Sequence, residues 1–281
     1  MNFTGHGSLF TGRLMKSLTA KIGLVIVLAL IVTAIFAPYI APHDPNEYHL
    51  DKVFASSTFE YPLGNDADGR DVLSRIIYGT RISLGVSLAV VGFSLVLGCI
   101  VGMVAGYSGG IVDRVFSFVC DVFLAFPGFL FAIAVAAFLQ PSVTNVIIIL
   151  CIKGWVSFAR LVRGQTLSLK EREFVTAGKA AGVRLPRLFF RHLLPNMIGP
   201  IVVNASFGMA GIIMIESSLS FLGLGVPLTT PSWGGMLDQA TKYLLIAPHL
   251  SIYPGIAIAL VVLGFNFLGD GLRDKLAPKN K

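Results

Sequence analysis

Ile82-Ser-Leu-Gly-Val-Ser-Leu-Ala-Val-Val-Gly-Phe-Ser-Leu-Val-Leu-Gly-Cys-Ile-Val-Gly-Met-Val-Ala-Gly106 contains no charged side chain. A helix crossing the ~30 Å hydrocarbon core of a bilayer needs about 20 such residues, so this stretch predicts a membrane span. Gly98, Gly102 and Gly106 recur every four residues on one helical face. Such a face lets a second helix approach closely in lipid, and its simplest role is to pack the bundle. Five more stretches have the same character: 22–40, 115–139, 143–159, 201–215 and 252–268. The span at 143–159 contains Lys153, and the one at 201–215 is short. The first is long for the apolar region of a signal peptide and five more follow, so it reads as an anchor.

The whole chain agrees with these segments. Of 281 residues, 54% are hydrophobic and 13% charged, with a mean hydropathy of +0.77. Soluble domains run near ~25% charged, and a soluble surface could not be covered by so few charges. Disorder is excluded by too much apolar surface. Thirty Gly and fourteen Pro fit a polytopic helical bundle, since both are tolerated in membrane helices. The expected fold is therefore all-α, with six transmembrane helices and a short cytoplasmic helix. The net charge of +7 then reflects cytoplasmic loops rather than nucleic-acid binding. Cys99, Cys120 and Cys151 lie in apolar stretches without metal-ligand spacing, as small core residues do.

Basic residues orient the bundle. Arg13, Lys16, Lys21, Arg114 and the Arg/Lys-rich stretch 160–191 fall on one side with Arg273, Lys275, Lys279 and Lys281. The other side has only Lys52, Arg70, Arg75, Arg81 and Lys242. By the positive-inside rule both termini are expected in the cytoplasm of a multi-pass protein of the cytoplasmic (inner) membrane. The organisation is a cytoplasmic tail, 1–21, and a six-span domain, 22–281. Its soluble parts are an outside loop at 41–81, a cytoplasmic loop at 161–200 and an outside loop at 217–251.

Enzymatic motifs are hard to find. The nearest string to a phosphate loop, Gly64-Asn-Asp-Ala-Asp-Gly69-Arg70-Asp71, has Arg for the lysine and Asp where a hydroxyl should hold magnesium. It also lacks the distant Glu of a calcium loop. It reads as a turn that starts a helix, with Asp66, Asp68, Arg70, Asp71 and Arg75 as a fixed charged cluster and Asp71 and Arg75 at i,i+4. His6, His43, His49, His192 and His249 are scattered without ligand spacing, so no metal site and no catalytic residue is expected.

The cytoplasmic loop is the most informative soluble segment: Glu171-Arg-Glu-Phe-Val-Thr-Ala-Gly-Lys-Ala-Ala-Gly182-Val-Arg-Leu-Pro186-Arg-Leu-Phe-Phe-Arg-His-Leu-Leu-Pro195-Asn196. Acids near Glu171 and Glu173 suit a helix N-terminus. Phe174, Ala177, Gly178 and Ala181 share a face, one apolar knob followed by small residues. Gly182 suits the C-terminal cap. Pro186 suits the first turn of a second short helix, and Pro195 is expected to stop it. Small residues on an exposed helix make little core but allow close docking into another protein.

This loop resembles the "EAA loop" of ABC-importer permeases, through which the membrane subunit meets its ATPase. The name-giving triplet is replaced by Thr176-Ala177-Gly178, whereas Gly182 and Leu194-Pro195 match. Three further stretches are similar to the dipeptide/oligopeptide/nickel branch and its shorter C-type subunit: Tyr61 to Arg75; Glu216 to Gly225 followed by Pro231-Ser-Trp-Gly-Gly-Met236; and Asn266 to Asp274. The resemblance implies a homologous second permease, two ATPase subunits that bind the ATP and Mg, and an extracytoplasmic solute-binding protein, all around membrane lipid. It implies that this chain holds no cofactor and is not itself an enzyme. It places Glu173, Phe174, Ala177, Gly178, Gly182, Arg187, His192 and Pro195 at the ATPase contact. Peptides are the expected solute, with a nickel chelate or another small conjugate as the alternative.

Ionisable residues inside spans are functional candidates. Here they are Asp121, Lys153 and Glu216. Lys153 could instead be anchored by a helix carbonyl, and Asp121 could pair with Lys153 or with another subunit. Glu216 is expected near the solute path at the outer end, with Phe221, Gly223 and Gly225 in a gate. The competing reading is a carboxylate that holds this loop to the bundle. An ion-driven secondary transporter using the three as a relay is the alternative from a different class; it would work without an ATPase.

Overall fold

The computed structural model describes residues 18–276, and all regular structure among them is helical. Arg13, Lys16 and His6 in the N-terminal tail, and Lys279 and Lys281 at the other end, lie outside the described residues. Among the described residues five helices are long and apolar enough to cross a membrane, and a bent helix pair makes a sixth candidate.

Helix α1, Leu18–Ile40, contains the first expected span, and residues 18–21 are already helical. Helix α2, Val72–Ser108, is 37 residues long. At ~1.5 Å per residue it is about 55 Å long, nearly twice a bilayer core. Its first turns therefore stand outside the apolar layer. It starts ten residues before position 82 because Asp71 caps it, its carboxylate accepting from the Ser74 backbone N–H at 2.9 Å.

The third apolar stretch is broken rather than a single 115–139 span. Helices α3, Gly110–Ala125, and α4, Gly128–Ala136, meet at a bend of 74°. Phe126 is extended (φ −101°, ψ 134°) and Pro127 is the N-cap of α4. Proline disfavours helical geometry in the residue before it, so the chain turns at this dipeptide.

Helix α5, Val143–Leu169, runs past position 159 and lies along α2. The glycine face of α2 is the seam between them. A Cβ on Gly98 would stand 2.5 Å from the Phe158 Cβ, and one on Gly102 would stand 2.4 Å from the Ala159 carbonyl oxygen.

After α6, Glu173–Ala180, a short helix α7, Leu185–Leu188, leads through a π-turn at Phe189–Leu193 into α8, Leu194–Phe221. Pro195 therefore does not stop the second short helix: one helical run continues from Leu185 to Phe221. In the π-turn the Leu194 N–H bonds the Phe189 carbonyl. That wider turn accommodates the proline ring, which would clash with a carbonyl in a regular α-helix. The Asn196 side-chain amide donates to the His192 carbonyl at 2.6 Å, one turn back.

Helix α8 also continues past 215, so Glu216 lies inside it and not at its end. The following loop holds a further helix, α9, Trp233–Thr241, capped by Ser232. Helix α10, His249–Leu276, packs on α1 and α8.

Candidate functional site

A cavity of about 640 Å³ opens between α2, α4, α5 and α8, with Leu124 of α3 also lining it. Its walls are largely apolar: Val90 and Val91 from α2, Phe131 from α4, Ile149 from α5, Ile212 and Ile215 from α8. Ser94, Ser157 and Asn204 add uncharged polar groups, and Lys153 and Arg160 are its charged residues. Lys153 lies ten residues into α5, about 15 Å along its axis, near mid-depth of a bilayer. Its ammonium donates to the Phe126 carbonyl at the helix break. Phe126 ends α3, where unpaired carbonyls and the helix dipole favour a cation. Asp121 does not pair with Lys153; it lies 3.8 Å from Arg160, both exposed.

Glu216 does not line this cavity and is fully buried. Its carboxylate accepts from the hydroxyls of Ser83 on α2 (3.0 Å), Ser220 (3.0 Å) and Ser217 (3.4 Å). The Ser220 hydroxyl oxygen in turn accepts from the Val226 N–H at 3.0 Å. Glu216 thus joins α2, α8 and the loop after α8. Gly225 presses on Ser220 so closely that a Cβ would stand 2.4 Å from its hydroxyl. Phe221 and Gly223 are exposed where α8 ends.

The charged cluster at the same end is built as one unit. Asp66 accepts from the Arg70 backbone N–H and Nε, each at 2.9 Å. Arg70 also reaches Asp68 at 2.6 Å and Gln239 of α9 at 2.9 Å. Arg75, almost wholly buried, donates to the carbonyls of Pro45 (3.0 Å) and Leu228 (3.4 Å) and lies 3.7 Å from Asp66. The i,i+4 pair Asp71–Arg75 is not formed, because capping Ser74 takes the Asp71 carboxylate, which also lies 3.5 Å from His43. Gly69 has φ +75° and sits so close to His49 that a Cβ would overlap its carbonyl oxygen. Farther out, the Tyr61 hydroxyl beside Lys52 raises its ammonium above the usual lysine value, and Glu60 adds to this.

At the opposite end, α6 leans on the bundle through Val175, which is fully buried in a cluster with Leu188, Leu193 and Met197. Gly178 is turned to its own chain: a Cβ there would stand 3.5 Å from Leu188. Glu173, Phe174, Ala177, Gly182, Arg187 and Pro195 are exposed, and His192 is half-buried. Gly182 has φ +71° and the Val183 N–H bonds the Gly178 carbonyl at 3.0 Å. This is the left-handed glycine end of a helix anticipated from the sequence. Sequence reasoning missed the bidentate pair of Arg163 with Asp113 (one arm 2.7 Å), which ties α5 to α3 at this end. It also missed Ser83, Arg160 and Asn204. Nothing local marks these, since each is brought in by a distant helix; Pro127 was the visible signal for the break.

Comparison with known proteins now fits this geometry. The family described as binding-protein-dependent transport system inner membrane component matches residues 70–281. The N-terminal transmembrane domain of oligopeptide transport permease C matches residues 8–56. The chain is 42% identical over 269 residues to the dipeptide transport system permease protein of Alkalihalophilus pseudofirmus, covering 96% of this chain and 88% of the relative. It is 42% identical over 273 residues to the glutathione transport system permease protein of Pectobacterium atrosepticum, covering 97% and 91%. This chain therefore belongs to the binding-protein-dependent transport system inner membrane components, as a membrane-embedded permease of the peptide branch of ABC importers.

Proposed function

We propose that this chain forms half of the translocation path for short peptides. A homologous permease faces it, two ATPase subunits sit below α6, and a solute-binding protein delivers peptide at the charged-cluster end. Both termini are then cytoplasmic, as the basic loops favour. ATP and Mg are bound by the ATPase subunits. The observation that supports this best is the cavity among α2, α4, α5 and α8, with the exposed helix α6 at the opposite end from the charged cluster. Its volume lies within the ~300–1,000 Å³ typical of small-molecule sites. The names of the dipeptide and glutathione relatives point to the same solute class.

Helix α6 suits transmission of motion. Its inner face is fixed by Val175, while Phe174 and Ala177 stand outward. A groove closing on that face moves the helix and the α8 run behind it together. The two states of the bundle would be exchanged by such rigid shifts. The test is Ala177→Arg in the complete transporter. Its ATPase subunits should dissociate, or peptide-stimulated ATP hydrolysis should vanish, with membrane insertion intact. Normal peptide-stimulated hydrolysis in this variant would contradict the assignment.

A further inference from the structure

We propose that Lys153 is the carboxylate-binding residue of the cavity, exchanging between the Phe126 carbonyl and the carboxylate of a passing solute. The inference rests on the importer reading and specifies what the path recognises. The charged residues lining the cavity are Lys153 and Arg160, and no acid lines it. Arg160 is partly compensated by Asp121 at 3.8 Å. Lys153 has only the neutral Phe126 carbonyl; among the described residues no carboxylate pairs with it. Its full positive charge therefore remains on the wall, near mid-depth of the bundle.

A cation at that depth must keep a polar partner. A carboxylate is a stronger acceptor than a carbonyl, because both partners are then ionised. A solute carboxylate in the cavity therefore draws the ammonium from Phe126. Room for the exchange exists, because Gly128 presents no side chain and a Cβ there would lie 4.0 Å from both Cδ and Nζ of Lys153. The exchange also touches the fold. The Phe126 carbonyl sits in the 74° break between α3 and α4, so losing its donor frees that bend. The solute chemistry is a small molecule with a free carboxylate and an apolar body, the latter lying on Val90, Phe131 and Ile212.

The test uses the complete transporter in proteoliposomes and two probes, a dipeptide and its C-terminal amide. The readout is the ratio of their kcat/KM values in wild type, Lys153→Gln and Lys153→Arg. The binding protein is identical in all three, so a change in the ratio arises in the permease. We expect the preference for the free acid to fall about tenfold in Lys153→Gln, chiefly through KM, as for one lost charge-assisted hydrogen bond. Lys153→Arg should keep most of it. An unchanged ratio in Lys153→Gln, with normal uptake of the free acid, overturns this inference alone. A wild-type transporter that takes up neither peptide overturns the importer reading and this inference together. Should Lys153→Gln not assemble, spin labels at exposed Phe118 and Phe138, either side of the break, decide the matter with Lys153 intact. The free acid should change their separation and the amide should not. Equal responses to both overturn the proposal.

Discussion

Glu216 shows how a charge-bearing residue in a membrane helix acquires its surroundings. From sequence it stood out as an acid in an apolar stretch, followed by Ser217, Ser218 and Ser220. The decisive partner, Ser83, is 133 residues away and could not be read locally. With its carboxylate enclosed by three hydroxyls, Glu216→Ala should lower stability by about 1–3 kcal/mol, as for buried donors left unpaired. Glu216→Gln, which keeps an acceptor, should lose less; thermal unfolding in detergent measures both. A cysteine at 216 should resist a water-borne thiol reagent, because the site is closed and off the cavity. Arg75 makes a similar point. Its five-residue neighbourhood suggested a pair with Asp71, but the guanidinium reaches the Pro45 and Leu228 carbonyls instead. Arg75→Ala should destabilise the charged-cluster end by about 1.5–3 kcal/mol, read as the same thermal shift. By contrast Glu60→Ala, which removes an exposed partner of Lys52, should leave the transition where it is, as solvated pairs contribute little.

Individual helices were legible to different degrees. The glycine seam of α2 was readable because helical spacing puts Gly98, Gly102 and Gly106 on one face, and the structure seats that face on α5. Gly102→Leu should therefore force α2 and α5 apart, costing about 1–3 kcal/mol by overpacking. Gly92→Ala, where nothing lies within 4 Å of the added Cβ, should be tolerated; folded yield of the two variants separates them. The left-handed end of α6 was equally readable from Gly182. The break between α3 and α4 was missed because hydropathy averages across Phe126-Pro127, whereas backbone sterics act on that dipeptide alone. Pro195 was misread in the opposite sense. A π-turn, invisible in periodicity, lets the helix pass the proline.

Across the whole molecule, composition and apolar length settle the class, but the cavity is a product of packing. Its walls come from five helices spread between Val90 and Ile215, and no sequence window contains them. In the proposed assembly the facing permease supplies the opposite wall. The apolar residues left exposed on α3, among them Ile111, Val115, Phe118 and Val122, meet lipid or that partner. The central claim is that this chain moves peptide only as part of an ATP-driven assembly. The direct measurement is uptake of a labelled dipeptide into proteoliposomes, with the chain alone, with both permeases, and with the complete transporter plus binding protein. The account predicts accumulation only in the complete transporter with ATP and Mg supplied on the ATPase side. Accumulation driven by an ion gradient through this chain alone, without ATPase subunits, would contradict it.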